Sequence, residues 1–249
     1  MRPSLLAITP PGCCTPGAVP MIEAGVVEHL VAGWLRGLFL LHCHMAVLLR
    51  DPGVAPEVLL DPAGALAPLR RVLSARGVSM ILSLAAEDLP RWAPRLSDEN
   101  LAGVQLRGDP SLARLEQARA LLGPRRILGR SCHGEPAADE PARAASADYT
   151  CLAPIFAPRT PQAGVAKQAI GVEALHRWAP TPEDAKILAL GGVGLDNGAA
   201  CLRAGAVGFA GISLFFGSIG SAEDNVAGLC RLLAERDLAG SAHAPPPRR

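Results

Sequence analysis

Eight short apolar runs, separated by longer helix-like stretches, constrain the fold of this 249-residue chain more than any other feature. The runs contain Val, Ile and Leu without polar alternation, which is typical of parallel strands covered on both faces. Eight such strand–helix units predict a single closed (β/α)8 barrel, with a doubly wound open sheet as the alternative. The predicted strands are Leu5–Ile8, Met45–Leu49, Ser79–Ser83, Gly103–Leu106, Arg126–Gly129, Tyr149–Ala153, Ile187–Leu190 and Gly208–Ala210.

The stretches between these runs complete the alternation. Helices are predicted over residues 21–37, 56–76, 85–95, 110–122, 135–146, 170–179, 195–204 and 221–238. No internal repeat or second domain is evident, so we expect residues 1–239 to form one barrel of a length usual for this fold. Residues 240–249 are Pro-rich and are expected to be a disordered tail.

Charge and cysteine content limit the partners and the compartment. The chain has 24 Lys and Arg against 23 Asp and Glu, so it lacks the basic excess that favours nucleic-acid binding. Residues 25–49 are strongly apolar, but charged residues interrupt them, and we expect a helix, a turn and a strand rather than a membrane span. Seven cysteines without a CxxC motif argue against a disulfide framework or zinc ribbon and favour a reduced, cytoplasmic protein.

Glycines follow the last two predicted strands, at the end of a barrel where active sites lie. Gly191 and Gly192 come directly after the seventh strand, and Gly211, Ile212 and Ser213 follow the eighth. Backbone N–H groups at such glycines and at the start of a short helix can bind a phosphate. The sequence therefore predicts a phosphate site at this corner, with tight turns alone as the alternative.

His133 is the one histidine at the carboxyl end of a predicted strand. Imidazole titrates near neutrality and can both remove and deliver a proton, so we predict a catalytic role for this side chain. The neighbouring Cys132 suggests a nucleophile activated by His133 as its base, but adjacent residues on a strand point in opposite directions. We therefore do not expect a Cys132–His133 couple, and a solvated loop histidine is the alternative for His133.

Three further residues are candidate substrate ligands on the same rim. Arg50 follows the second strand and is able to bind phosphate or carboxylate through two hydrogen bonds. Thr160 and Lys167 lie in the long loop after the sixth strand, which we expect to close over substrate. Arg107, after the fourth strand, could bind in the same way, but with 22 arginines in the chain either arginine alone is weak evidence for a site.

The order of motifs resembles the thiamine phosphate synthase and TenI superfamily of (β/α)8 barrels. The similar motifs are Gly129-Arg130-Ser131-Cys132-His133 for G-x-S-x-H, Ala147-Asp148-Tyr149 with Ala153-Pro154-Ile155-Phe156, Ala189-Leu190-Gly191-Gly192-Val193, and the segment from Ala204 to Ser213. Through this resemblance Ser131 is also expected to contact substrate. The resemblance implies binding of a small phosphorylated thiazole.

Two activities belong to that superfamily. The synthase joins an aminopyrimidine diphosphate to a thiazole phosphate, releases pyrophosphate and needs Mg²⁺. The TenI branch isomerises a thiazole carboxylate phosphate tautomer through a histidine, without a metal. This chain has Ser83-Leu84 where the synthase has Asn-Asp, and Gln105-Leu106-Arg107-Gly108-Asp109 where it has H-L-G-Q-x-D.

These departures remove most of the implied metal ligands but keep His133 and the glycine motifs. We therefore expect a TenI-like tautomerase that needs no cofactor. The alternatives are a thiamine phosphate synthase, in which Asp109 would help bind Mg²⁺, and an inactive barrel that binds a thiazole phosphate. The sequence leaves the oligomeric state open, including a homo-oligomer.

Overall fold

The computed structural model describes residues 2–15, 31–33, 43–159, 168–179, 186–217 and 222–242. Eight parallel strands close into one barrel in the order β1 to β8, with β1 paired to both β2 and β8. This confirms the predicted (β/α)8 barrel and excludes the open sheet. The strands are β1 Leu5–Ile8, β2 Met45–Leu49, β3 Ser79–Leu84, β4 Gly103–Leu106, β5 Ile127–Cys132, β6 Tyr149–Leu152, β7 Ile187–Leu190 and β8 Gly208–Gly211.

Helices follow the strands along the chain and cover the outside of the barrel. They are α1 Pro56–Leu59, α2 Ala67–Ala75, α3 Leu89–Trp92, α4 Leu112–Leu122, α5 Glu140–Ser146, α6 Glu173–Trp178, α7 Gly198–Arg203, α8 Ser213–Phe216 and α9 Ala222–Ala242. Residues 31–33 are also helical, and the rest of the predicted helix 21–37 lies outside the described residues. So do residues 243–249, for which the disordered tail stays a prediction, whereas the first three residues of the predicted tail, 240–242, belong to α9.

Strand residues alternate between two apolar layers. One set fills the interior of the barrel and includes Leu6, Ile8, Leu48, Ile81 and Leu188. The intervening residues face outward and pack beneath the helices, so both faces of each strand are buried. This burial explains why the strand sequences lack polar alternation. Within the described residues, no helix is long and apolar enough to cross a membrane.

Strand β5 extends to Cys132, three residues beyond its predicted end at Gly129. Polar Arg130 and Ser131 suggested a loop, but each is accommodated on one face of the strand. Arg130 points outward, is fully buried, and forms an ion pair with Glu140 of α5. Its Nε also donates to Thr150 Oγ1 at 2.9 Å. The sequence prediction was therefore wrong at this boundary because buried partners satisfy the polar groups.

Prolines divide two of the predicted helices. The predicted helix 56–76 is instead α1 and α2, separated at Asp61-Pro62, where Asp61 Oδ1 accepts a hydrogen bond from Ala63 N at 2.9 Å. A proline disfavours helical geometry in the residue before it, which explains the break. The predicted helix 85–95 is a short α3 flanked by the 3₁₀ turns Ala86–Asp88 and Ala93–Arg95.

Candidate active site

A series of side-chain hydrogen bonds crosses the barrel interior just below its mouth, the opening at the carboxyl ends of the strands. Gln105 Nε2 donates to Ser131 Oγ at 2.8 Å, and Tyr149 Oη donates to Gln105 Oε1 at 2.8 Å. Cys151 Sγ also donates to Gln105 Oε1 at 3.7 Å. Tyr149 thereby fixes the orientation of the Gln105 amide, and the amide occupies an acceptor site of Ser131. The Ser131 hydroxyl proton is then directed away from Gln105 and is available to a ligand.

Gly129 makes room for this network. A Cβ at Gly129 would lie only 2.2 Å from Tyr149 Cζ and 2.4 Å from Tyr149 Oη. No real side chain tolerates such a contact, so Tyr149 occupies the space that any larger residue would need. The first glycine of the G-x-S-x-H motif is thus explained by the packing of the buried tyrosine. Burial also raises the pKa of Tyr149 well above its usual value, which keeps the phenol a hydrogen-bond donor.

Arg50, Ser83 and Arg107 lie near the carboxyl ends of the adjacent strands β2, β3 and β4. Arg50 Nε and Ser83 Oγ are both buried without a hydrogen-bond partner among the described residues. Burial, and then the nearby charge of Arg107, lower the pKa of Arg50. Buried polar atoms without partners are rare and are commonly satisfied by a ligand or water. Two guanidiniums with a hydroxyl beside them therefore suit an anionic group.

Sequence reasoning missed the candidate anion site on this side of the mouth. In the sequence, Ser83 stands out only as the replacement of an expected metal ligand, and Arg107 is one arginine among many. Ser83 and Arg107 can form one site with Arg50 only because the barrel places the ends of β2, β3 and β4 side by side. No spacing rule in the sequence shows that Ser83 Oγ is buried and unpartnered.

His133 comes directly after β5 and lies at the exposed rim. Its Nδ1 is 2.6 Å from the carbonyl oxygen of Ala153, the residue after β6. A carbonyl oxygen can only accept, so Nδ1 carries the proton and Nε2 holds the lone pair of the neutral ring. Residues 129, 131 and 133 alternate on the inner face of β5, which sets His133 above Ser131. This tautomer suits a proton acceptor at Nε2.

Cys132 faces away from His133, as the sequence predicted. Its side chain is fully buried in the outer apolar layer, and Sγ donates to Asp109 Oδ1 at 3.4 Å. Burial raises the pKa of the Cys132 thiol, and Asp109 and Glu140 add to this effect although Arg130 opposes it. A thiol held protonated in this way is a poor nucleophile.

Gly191 and Gly192 allow the loop after β7 to pack against the loop after β6. Both have positive φ, 91° and 63°. A Cβ at Gly191 would lie 2.7 Å from Pro154 Cβ, and one at Gly192 would lie 2.4 Å from the Ala157 carbonyl oxygen. The Phe156 N–H donates to the Gly191 carbonyl at 3.0 Å. Close loop packing therefore requires both glycines, whatever else they bind.

The predicted phosphate donors gather at the ends of β7 and β8, which are neighbouring strands. The N–H groups of Gly192, Ile212 and Ser213 have no hydrogen-bond acceptor among the described residues. Asn197 shapes the same loop, because its Nδ2 donates to the Gly192 carbonyl at 3.1 Å and its Oδ1 accepts from Gly194 N at 2.8 Å. The corner thus presents backbone donors without assigned acceptors.

Gly211 differs from the other glycines of this corner. Its φ is not positive, and a Cβ there would meet Leu214 Cδ1 at 3.5 Å, an ordinary contact. Gly211 therefore contributes no special backbone geometry. Thr160 and Lys167, the two predicted ligands in the β6 loop, lie outside the described residues. The described start of that loop is tied to the β7 loop by Arg159, which donates to both carboxylate oxygens of Asp196 at 2.9 and 3.1 Å.

The donors around Asp109 do not fit a Mg²⁺ site. Asp109 Oδ1 accepts from Cys132 Sγ and lies 3.6 Å from Arg143 Nη1. Mg²⁺ prefers octahedral oxygen ligands, whereas these neighbours are a thiol and a cation. Among the described residues, the one group of three potential metal ligands lies elsewhere, at Cys13, Cys14 and Asp51.

Comparison with known proteins agrees with this architecture. A family model described as thiamine monophosphate synthase matches residues 47–215, which run from within β2 to beyond β8. The chain belongs to this family. The match confirms the resemblance to the thiamine phosphate synthase and TenI superfamily, which the motifs between Gly129 and Ser213 had indicated.

Several curated thiamine-phosphate synthases are similar to this chain. A thiamine-phosphate synthase of Roseiflexus castenholzii is 33% identical over 192 residues, which are 77% of this chain and 76% of the relative. One from Anaeromyxobacter dehalogenans is 38% identical over 151 residues, 58% of this chain and 61% of that protein. One from Saccharopolyspora erythraea is 30% identical over 168 residues, 63% and 70% of the two chains.

Solved structures support the fold. A thiamine phosphate pyrophosphorylase from Pyrococcus furiosus superposes with a TM-score of 0.59 at 19% identity, covering 94% of this chain and 96% of that one. A phosphoribosyl anthranilate isomerase from Thermotoga maritima gives 0.53 at 12% identity, covering 94% and 100%. At these identities the likeness shows the barrel fold alone.

Proposed function

We propose that this chain is an enzyme of thiamine biosynthesis that joins an aminopyrimidine diphosphate to a thiazole phosphate and releases pyrophosphate. From the sequence we expected the tautomerase first; the curated relatives named above are thiamine-phosphate synthases, which favours the coupling reaction instead. The observation that carries the proposal is the pair of anion-binding regions on opposite sides of the mouth. Such a pair suits two phosphorylated substrates.

The thiazole phosphate is assigned to the corner formed by β7 and β8. The N–H groups of Gly192, Ile212 and Ser213 would donate to its phosphate oxygens, in the manner usual for barrels of this kind. In the closed order of strands, β3 lies opposite β7 and β4 lies opposite β8. A phosphate at this corner would therefore direct the thiazole ring toward Ser131 and the centre of the mouth.

The diphosphate is assigned to Arg50, Ser83 and Arg107. Guanidinium groups bind phosphate oxygens through paired hydrogen bonds, and buried Arg50 Nε and Ser83 Oγ are two donors without described partners. Positive charge already in place at a leaving group stabilises the charge that develops as its bond breaks. We infer that these two arginines take over charge neutralisation at this site, and that Mg²⁺ is not required.

A direct assay tests this proposal. The full chain is incubated with both substrates, with and without a chelator, and thiamine phosphate and pyrophosphate are measured. We expect equimolar products, undiminished by chelation and strongly reduced in Arg50→Ala. Coupling that chelation abolishes would contradict the metal-free mechanism. Binding of both substrates without product would leave an inactive binding protein as the correct assignment.

The tautomerase is the second candidate, and the state of His133 favours it. Nδ1 donates to the Ala153 carbonyl, so in the neutral tautomer Nε2 is the acceptor nitrogen that would take the proton from the substrate. A substrate carboxylate would then pair with Arg50, while its phosphate binds at the β7–β8 corner. Conversion of the thiazole carboxylate tautomer, measured by its ultraviolet spectrum and lost in His133→Ala, would establish this activity in place of coupling.

A further inference from the structure

Cys13 and Cys14 lie in the loop after β1, and Asp51 lies just after β2. The parallel pairing of β1 with β2 brings these two segments together at the carboxyl-terminal rim. One donor atom from each residue lies within 4.8 Å of the others. We propose that Cys13, Cys14 and Asp51 form a binding site for a thiophilic divalent cation such as Zn²⁺.

The distances between donor atoms match the geometry of such an ion. Cys13 Sγ lies 4.0 Å from Cys14 Sγ and 3.7 Å from Asp51 Oδ2. A tetrahedral ion with bonds of about 2.3 Å to sulfur and about 2.0 Å to oxygen would separate two sulfurs by about 3.8 Å and a sulfur and an oxygen by about 3.5 Å. For these two pairs, shifts of a few tenths of an ångström would give the tetrahedral separations, and Cys14 Sγ lies within 4.8 Å of a carboxylate oxygen of Asp51.

Backbone hydrogen bonds hold the carboxylate in position before any ion binds. Gly12 N donates to Asp51 Oδ1 at 2.8 Å, and Cys14 N donates to Asp51 Oδ2 at 3.0 Å. Each carboxylate oxygen accepts more than one hydrogen bond or metal bond, so Oδ2 keeps a lone pair for the ion. Groups that orient a metal ligand in this way raise the affinity of a site.

Access and charge also suit a cation. Asp51 is 3% exposed and Cys13 is fully buried, whereas Cys14 is half-buried and opens the group to solvent. The ion would bond to both sulfurs and to Oδ2, and the two thiol protons would pass to solvent. With three protein ligands, the fourth tetrahedral position would be taken by water, as in zinc sites that keep an open position.

The donor set selects against Mg²⁺. Two thiolates are soft ligands, and sites rich in sulfur favour Zn²⁺ and related ions over the hard, oxygen-binding Mg²⁺. The site is therefore separate from any requirement of the coupling reaction for magnesium. Its position matters all the same, because Cys13 Sγ donates to the Arg50 carbonyl at 3.7 Å. An ion bound here would lie beside the arginine assigned to the diphosphate.

Cobalt titration of the full, reduced chain tests the site through its spectrum rather than its activity. Co²⁺ bound by thiolates gives a charge-transfer band in the near ultraviolet, and Zn²⁺ should displace it. We expect one Co²⁺ per chain, with at least tenfold weaker binding in Cys14→Ser and in Asp51→Asn. Absence of a thiolate band at stoichiometric Co²⁺ would overturn the proposal.

Two control variants separate this group from the other cysteines. Cys43 and Cys230 form a rival thiol pair, with their sulfurs 3.3 Å apart, and Cys201 is a buried thiol of α7. Cys230→Ser and Cys201→Ser should each retain wild-type Co²⁺ affinity. Loss of the band in Cys230→Ser, with Cys14→Ser unaffected, would assign the metal to the rival pair and contradict the proposal. Melting of each variant without metal checks that it is folded.

Discussion

Gln105 Nε2 donates a 2.8 Å hydrogen bond to Ser131 Oγ from the adjacent strand, inside the barrel. Tyr149 Oη donates to Oε1 of the same amide, so the direction of both hydrogen bonds is fixed. The Gln105 amide accepts a hydrogen bond from Tyr149 and donates one to Ser131. Ser131 is consequently presented to the mouth as a hydrogen-bond donor.

Gln105→Glu should reverse the direction of the hydrogen bond between residue 105 and Ser131, with little change in side-chain shape. A carboxylate has no proton to donate, so the Ser131 hydroxyl would turn toward it and be lost to a ligand. We expect Gln105→Glu and Ser131→Ala each to lower kcat/KM about tenfold, which corresponds to about 1.4 kcal/mol. The double variant should lose little more than either single one, since both remove the same donor. Additive losses, measured on folded variants, would show that the two residues act independently.

The fold was largely predictable because burial on two faces leaves a strong pattern. Four strands, including Met45–Leu49 and Ile187–Leu190, begin and end where the apolar runs predict. The prediction failed at β5 because Arg130 and Ser131 are polar residues whose partners, Glu140 and Gln105, lie 10 and 26 residues away in the sequence. Such long-range compensation cannot be read from a local run of residues.

The candidate site was predictable only in part, for a different reason. The positions of His133 and Gly192 follow from counting strands, because each comes directly after one. The roles of Gln105 and Ser83 depend on which side of a strand faces the interior and on which partners its neighbours provide. The approach of Cys13 to Asp51 likewise requires knowing that β1 pairs with β2 in this register.

The ion pair between Arg130 and Glu140 is expected to be a major determinant of stability. Arg130 is 0% exposed, and burial raises the pKa of Glu140 even though Arg130 opposes the shift. Removing one partner leaves a buried charge unpaired, which costs about 3–5 kcal/mol. We expect Glu140→Ala to lower the free energy of unfolding by that amount in denaturant titration.

Glu135→Ala provides the matched control for that experiment. Glu135 pairs with Arg177 at 2.8 Å, but its side chain is 68% exposed. Solvent-exposed pairs contribute at most about 1 kcal/mol. If Glu140→Ala and Glu135→Ala lower the free energy of unfolding equally, burial does not make the Arg130–Glu140 pair more important for stability.

Arg50→Ala should weaken binding of pyrophosphate to the unliganded chain. Arg50 Nε is buried without a described partner, and a hydrogen bond to a charged group contributes about 1.5–3 kcal/mol. We therefore expect the dissociation constant, measured by calorimetry, to rise at least tenfold. Arg71→Ala, at an exposed position on α2, should leave it unchanged. Unaltered pyrophosphate binding in Arg50→Ala would place the diphosphate elsewhere.

Ser213 is the better residue for testing the phosphate corner. Replacement of Gly192 would force its Cβ against the Ala157 carbonyl, so lost binding could reflect a displaced loop. Ser213→Pro removes one backbone N–H at the first position of α8. Because a proline disfavours the helical conformation of the residue before it, here Ile212, thermal melting must show that the variant keeps the wild-type fold. We expect at least tenfold weaker binding of thiazole phosphate, with Ser213→Ala closer to wild type. Unchanged affinity in Ser213→Pro would exclude this N–H as a phosphate ligand.

His133→Ala separates the two candidate activities. If Nε2 moves a proton during tautomerisation, kcat for that reaction should fall by about 10²–10⁴, while the affinity for thiazole phosphate stays nearly constant. Coupling breaks a carbon–oxygen bond to the diphosphate and forms a bond to the thiazole nitrogen, so it depends less on this base. His176→Ala, at an exposed position on α6, is the matched control for loss of a histidine. Normal tautomerisation by His133→Ala would remove the reason for assigning that activity to the chain.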